Sequence, residues 1–98
     1  MAEKQNEQQV KTALEALNGW TLCPQRNAIQ KIFKFSDFKE AWTFMNACAE
    51  KAEEMNHHPE WLNVYNKVEV TLSTHDAGGL TALDFELARV MDQISKTA

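Results

Sequence analysis

The chain has 98 residues, 44% of them hydrophobic and 24% charged, and a formal net charge of −4. That length and balance fit one globular domain spanning residues 1–98. They exclude a surface built to grip nucleic-acid phosphates or an anionic membrane, since either needs clustered Lys and Arg. No apolar run approaches a membrane span, and the polar start Met1-Ala2-Glu3-Lys4-Gln5 is unlike a signal peptide. Cys23 and Cys48 form no CxxC or zinc pattern. A reducing compartment is therefore expected, cytoplasmic by default, with nuclear entry by diffusion open to a protein of this size.

In chain order, Val10, Ala13, Leu14 and Leu17 recur at helical spacing, and Gly19 follows as a helix-ending residue. This predicts a first helix over residues 6–18. Trp20–Cys23 reads as a short strand, Pro24–Asn27 as a turn and Ala28–Phe35 as a second strand. Apolar residues fall on both faces of that strand, so its alternation does not choose a face. Ser36 or Asp37 can cap the next helix. Its predicted apolar stripe is Phe38, Ala41, Trp42, Met45, Cys48, Ala49, Ala52 and Met55. Pro59 forbids continuation. Trp61–Tyr65 and Lys67–His75 read as two strands joined near Asn66. In the second, Val68, Val70 and Leu72 alternate with Glu69, Thr71 and Ser73. A strand continuing to His75 would put that residue on the wet face. Asp76–Gly79 breaks the pattern. Thr81 and Asp84 then have capping-box spacing, and Leu80 and Phe85 the spacing of a hydrophobic staple. Leu83, Leu87, Val90, Met91 and Ile94 extend the third helix. The order is helix, hairpin, helix, hairpin, helix. It predicts an α+β fold: a four-stranded antiparallel sheet with three helices packed on one face.

Every histidine falls between His57 and His75. Histidine is the side chain whose ordinary pKa lies nearest neutrality, so such a cluster suits proton transfer. His57 and His58 can also be read as cationic residues at a helix end, with no chemistry. The functional reading uses their adjacency: outside a helix, neighbouring side chains point apart, so one ring can address a substrate while the other orients it. His75 ends the following hairpin, which can return it towards Trp61. Three histidines could also ligate zinc, but an adjacent pair matches that geometry poorly, and no metal is expected. Glu53 and Glu54 read as a solvated helix face with one carboxylate able to reach a ligand. Trp61 reads as core or stacking platform, Asp84 as helix cap or histidine orienter. Ser73 and Thr74 read as strand residues or ligand contacts.

Three segments carry a family resemblance: Glu53-Glu54-Met55-Asn56-His57-His58-Pro59-Glu60-Trp61, then Asn63-Val64-Tyr65-Asn66-Lys67-Val68, then Leu72-Ser73-Thr74-His75. Together they resemble pterin-4a-carbinolamine dehydratases over nearly the whole chain. The resemblance implies loss of water from the 4a-hydroxytetrahydropterin left by aromatic amino acid hydroxylases, giving quinonoid dihydropterin in tetrahydrobiopterin recycling. It implies no metal, nucleotide or redox cofactor. It places the active-site histidines on His57, His58 and His75 and a pterin-contacting carboxylate on Glu53. Asn56 stands where some members have Asp. Trp61, Ser73, Thr74 and Asp84 match positions in or beside the pocket. Ala77 stands where some animal members have cysteine. The preferred roles are an acid/base pair of His57 and His75, with His58 binding and positioning the substrate. The resemblance further implies homodimers joined through sheet edges, often paired into homotetramers. The alternative function is a non-catalytic dimerisation or transcriptional coactivator module that binds a partner protein.

Overall fold

The computed structural model describes residues 2–97; Met1 and Ala98, the ends of the expected single domain, lie outside the described residues. Helix α1 spans Glu7–Glu15. Asn6 opens it with a reciprocal cap: its side chain accepts the Gln9 N–H at 2.8 Å, and Gln9 Oε1 accepts the Asn6 N–H at 2.9 Å. The helix is shorter than predicted. Ala16 and Leu17 bond back to Ala13 and Leu14, which tightens the last turn before Gly19 turns left-handed at φ +82°.

Strands β1 (Thr21–Leu22), β2 (Ile29–Lys34), β3 (Glu60–Val64) and β4 (Lys67–Leu72) form one antiparallel sheet in the order β1-β2-β4-β3. Register settles the face that sequence left open in β2. Ile29, Lys31 and Phe33 sit opposite Leu72, Val70 and Val68, and all of these except Lys31 are buried. Lys31 tolerates the inner face because its ammonium meets Asp92 at 2.7 Å and the Asn18 carbonyl at 2.8 Å. The opposite face carries Ile32, Leu62 and Val64 in the open. The predicted alternation in β4 is observed, but the strand stops at Leu72. His75 belongs to a 3-10 turn, His75–Ala77, and not to a strand face.

Helix α2 (Phe38–Met55) is capped by Asp37, which accepts the Glu40 N–H at 2.9 Å. Its buried line is Ala41, Phe44, Cys48 and Ala52. This corrects the predicted stripe, which omitted Phe44 and included Phe38, Trp42 and Ala49, all three exposed. Phe44 packs at 4.7 Å from Phe33 and 4.9 Å from Phe35, ring to ring, while Phe38 and Trp42 stack on each other half-exposed. Aromatic residues surround the first half of this helix, so spacing alone could not choose the inward one. Helix α3 (Ala82–Ser95) begins at the predicted capping box of Thr81 and Asp84 and buries Phe85, Leu87, Ala88 and Met91. Cys23 and Cys48 are free thiols. Burial pushes the Cys48 thiol up to about 12. Each fully buried large side chain of this core contributes about 1.5–3 kcal/mol.

Candidate active site

The end of α2 sets the direction of the first histidine pair. Asn56 adopts the left-handed conformation (φ 51°, ψ 43°), which asparagine tolerates better than most residues. The His57 N–H then reaches back to the Ala52 carbonyl at 3.0 Å and the Asn56 N–H to Glu53 at 3.1 Å, a Schellman closure. Reversal of the chain here sends His57 inward, 7% exposed, and leaves His58 outside. Asn56 thus acts through its backbone, with its side chain exposed.

Inside, His57 Nε2 lies 2.6 Å from Asp84 Oδ1, and Asp84 is fully buried. Asp84 Oδ2 accepts the Thr74 hydroxyl at 2.8 Å and the Thr81 N–H at 3.0 Å. A hydroxyl has one proton to give. Thr74 gives its own to Asp84, so the Thr81 hydroxyl, 2.8 Å away, donates to Thr74. Thr81 Oγ1 in turn accepts the Leu83 N–H at 3.2 Å. Donors therefore converge on Asp84 from α3, from the segment after β4 and from the end of α2. A carboxylate accepts and does not donate, so His57 holds its proton on Nε2. Nδ1 is left as the ring's available nitrogen. Asp84 is the predicted helix cap and also meets His57.

Outside, His58 Nε2 meets Glu53 Oε1 at 2.8 Å, both side chains largely exposed. His75 Nε2 lies 3.8 Å from Glu60 Oε2. Glu60 is itself gripped by Arg26, with two nitrogen–oxygen distances of 2.8 and 2.7 Å. Those hydrogen bonds hold the Glu60 carboxyl below its ordinary value.

The predicted site residues sort accordingly. His57, Asp84 and Thr74 come together in one buried network. His58 joins Glu53, and His75 follows Thr74 directly in the chain. Trp61 packs half-buried against the core. Ser73 does not join the network; its hydroxyl donates to the Asn27 carbonyl at 2.9 Å and pins the β1–β2 turn. Among the described residues no three His, Cys, Asp or Glu side chains converge as a metal-holding group. Sequence reasoning paired Thr81 with Asp84 as a helix cap without placing Thr81 in the network around His57, and it missed Arg26 and Glu60 beside His75. Arg26 carries no local signal, because its partner lies far away in sequence. A groove of about 1110 Å³ between α1 and β1 is lined by Val10, Leu14, Leu22 and Leu80 among others, and by none of the predicted site residues. Its charged side chains are all exposed, so the histidine end, which holds a carboxyl fully buried, is the better candidate for chemistry.

Known proteins share this sequence and fold. A family model described as "Pterin 4 alpha carbinolamine dehydratase" matches residues 3–94. A curated protein of Burkholderia pseudomallei named "Putative pterin-4-alpha-carbinolamine dehydratase" is 55% identical over 98 residues, covering 100% of this chain and 97% of its own length. A Burkholderia cenocepacia protein of the same name is 59% identical over 92 residues, 94% of this chain and 90% of its own. The crystal structure of a transcriptional coactivator/pterin dehydratase from Brucella melitensis superposes with a TM-score of 0.93 at 46% identity, over 95% of this chain and 99% of that one. A pterin dehydratase-like protein described as a RuBisCO assembly factor shares the fold, with a TM-score of 0.68 at 22% identity over 80% of this chain and 90% of its own.

Proposed function

The chain belongs to the pterin-4a-carbinolamine dehydratase family, and from that premise we propose that it removes water from a 4a-hydroxytetrahydropterin to give quinonoid dihydropterin, in tetrahydrobiopterin recycling. The observation that carries this reading is the buried His57–Asp84 pair. Asp84 also caps α3, and an imidazole held by one nitrogen on a buried carboxyl suits proton transfer through the other.

The substrate's hydroxyl sits on C4a beside the N5 amine. The nitrogen lone pair expels it once a proton reaches the departing oxygen, and a ring proton must leave. The elimination is redox-neutral, so its balance needs no electron acceptor. In this reading His57 and His75 form the pair that gives one proton and takes the other, worth about a hundred- to ten-thousand-fold in rate. His58, anchored by Glu53, binds and positions the heterocycle. Asn56, Trp61, Ser73 and Thr74 form the surrounding wall, and Asp84 fixes His57. The exposed edge of β3, with Leu62, Val64 and Tyr65 uncovered, fits pairing with a second copy. Among the described residues no helix is long and apolar enough to cross a membrane; the proposed location is cytoplasmic.

The test is turnover of chemically generated 4a-hydroxytetrahydropterin by wild type, His57→Ala and His75→Ala. Acceleration by wild type that falls at least a hundredfold in each variant supports the assignment. A wild-type chain that gives none returns the function to the non-catalytic module. Folded variants with full activity remove His57 and His75 from the chemistry.

A further inference from the structure

We propose that Arg26 and Glu60 are positioning residues that present the His75 imidazole to the substrate, an inference that rests on the dehydratase reading of the site. His75 stands in a 3-10 turn and its side chain is 85% exposed. Among the described residues no hydrogen bond holds the ring, and its nearest charged partner is Glu60. The charged groups near it are Asp76 in its own turn, Glu60 at the start of β3, and Arg26 behind Glu60 in the β1–β2 turn.

The geometry is that of an anchored acceptor. Glu60 pairs in register with Thr71, which pairs with Gln30, all on the face turned away from the helices. Arg26 therefore reaches past the ends of β2 and β4 to grip a carboxylate on the far edge strand. Its fork meets both carboxylate oxygens, an arrangement that fixes direction as well as distance. Glu60 Oε2 is the shared atom: 2.7 Å from the guanidinium and 3.8 Å from His75 Nε2. A small rotation of the free imidazole brings Nε2 into hydrogen-bonding distance.

The pair is net neutral, so its contribution to His75 is orientation more than charge. A carboxylate oxygen at Nε2 leaves Nδ1 to face the substrate. This repeats, on the surface, the arrangement that Asp84 imposes on His57 in the interior. Both proposed proton-transfer rings would then be held by the same nitrogen and used through the other. Glu53 beside His58 has no such brace among the described residues.

The experiment is a double-mutant cycle on turnover of 4a-hydroxytetrahydropterin, with folding checked by thermal melts. Glu60→Gln and Arg26→Gln are each expected to lower kcat about tenfold, the scale on which neighbouring coupled residues interact, with KM little changed. Arg26→Lys keeps the charge and loses the fork, so it should restore part of the rate and not all of it. In a His75→Ala background, Glu60→Gln should lower the rate no further. An equal loss in both backgrounds assigns the pair a general structural role and overturns the proposal. Wild-type turnover with Glu60→Gln and Arg26→Gln unaffected removes this proposal and leaves the dehydratase reading standing. An inactive wild type removes both. Should Glu60→Gln fail to fold, the Arg26→Gln and His75→Ala cycle gives the same decision.

Discussion

His57 and His75 flank one hairpin, and each has a carboxyl at Nε2, yet their surroundings are opposite. His57 is 7% exposed and its Asp84 partner 0%. The His75 side chain is 85% exposed and that of Glu60 48%. The inner ring gets its orientation from the fold itself, because α2, α3 and the segment after β4 all contribute to the network around Asp84. The outer ring, in our proposal, gets its orientation from a surface brace of half-exposed side chains. Exposed ion pairs are generally worth about 0–1 kcal/mol, whereas breaking a buried one leaves a polar group stranded. Substitutions at the inner ring should therefore damage stability and activity together. At the outer ring the two should separate.

The largest effect should come from Asp84→Ala. It strands His57 Nε2, the Thr74 hydroxyl and the Thr81 N–H. Urea unfolding should show a loss of about 1–3 kcal/mol for each donor left without a partner, with turnover falling at least a hundredfold. A stable, active Asp84→Ala would dissolve the contrast. Thr74→Val tests the same network more gently. It removes the donor to Asp84 Oδ2 and should cost about 1–3 kcal/mol by thermal or urea unfolding. His58→Ala lies on the outer side. It should change stability by less than about 0.5 kcal/mol and raise KM with kcat largely kept, measured by steady-state kinetics.

The smallest effect is a pH dependence of stability. Arg26 holds the folded Glu60 carboxyl below its ordinary value. The stabilisation is therefore present above the unfolded carboxyl's pKa and is lost as pH falls through the lower folded one. Wild type should melt slightly above Glu60→Gln at pH 6 and at the same temperature near pH 2.

Most of the scaffold was legible from the chain because its signals are local. Val68, Val70 and Leu72 alternate in sequence as they do in the sheet, and the spacing of Thr81 and Asp84 announced the start of α3. The His57-His58-Pro59 run and His75 at the end of the hairpin marked the histidine end in sequence, and the structure adds a carboxylate partner for each ring: Asp84, Glu53 and Glu60. What escaped depended on packing partners distant in sequence. Phe44 and Trp42 are both aromatic residues on one helix, and only contact with Phe33 and Phe35 decides which is core. His75 looked like strand until β4 was seen to stop at Leu72. Arg26 read only as part of a turn, and its grip on Glu60 depends on a partner 34 residues away.

The most direct test is nitrogen-15 NMR of the imidazoles during titration with an unreactive dihydropterin. The account predicts that signals of His57, His58 and His75 move along one saturation curve, with His57 keeping its proton on Nε2 and responding through Nδ1. Saturable pterin binding that leaves His57 unmoved, or a His57 protonated on Nδ1 alone, would contradict it.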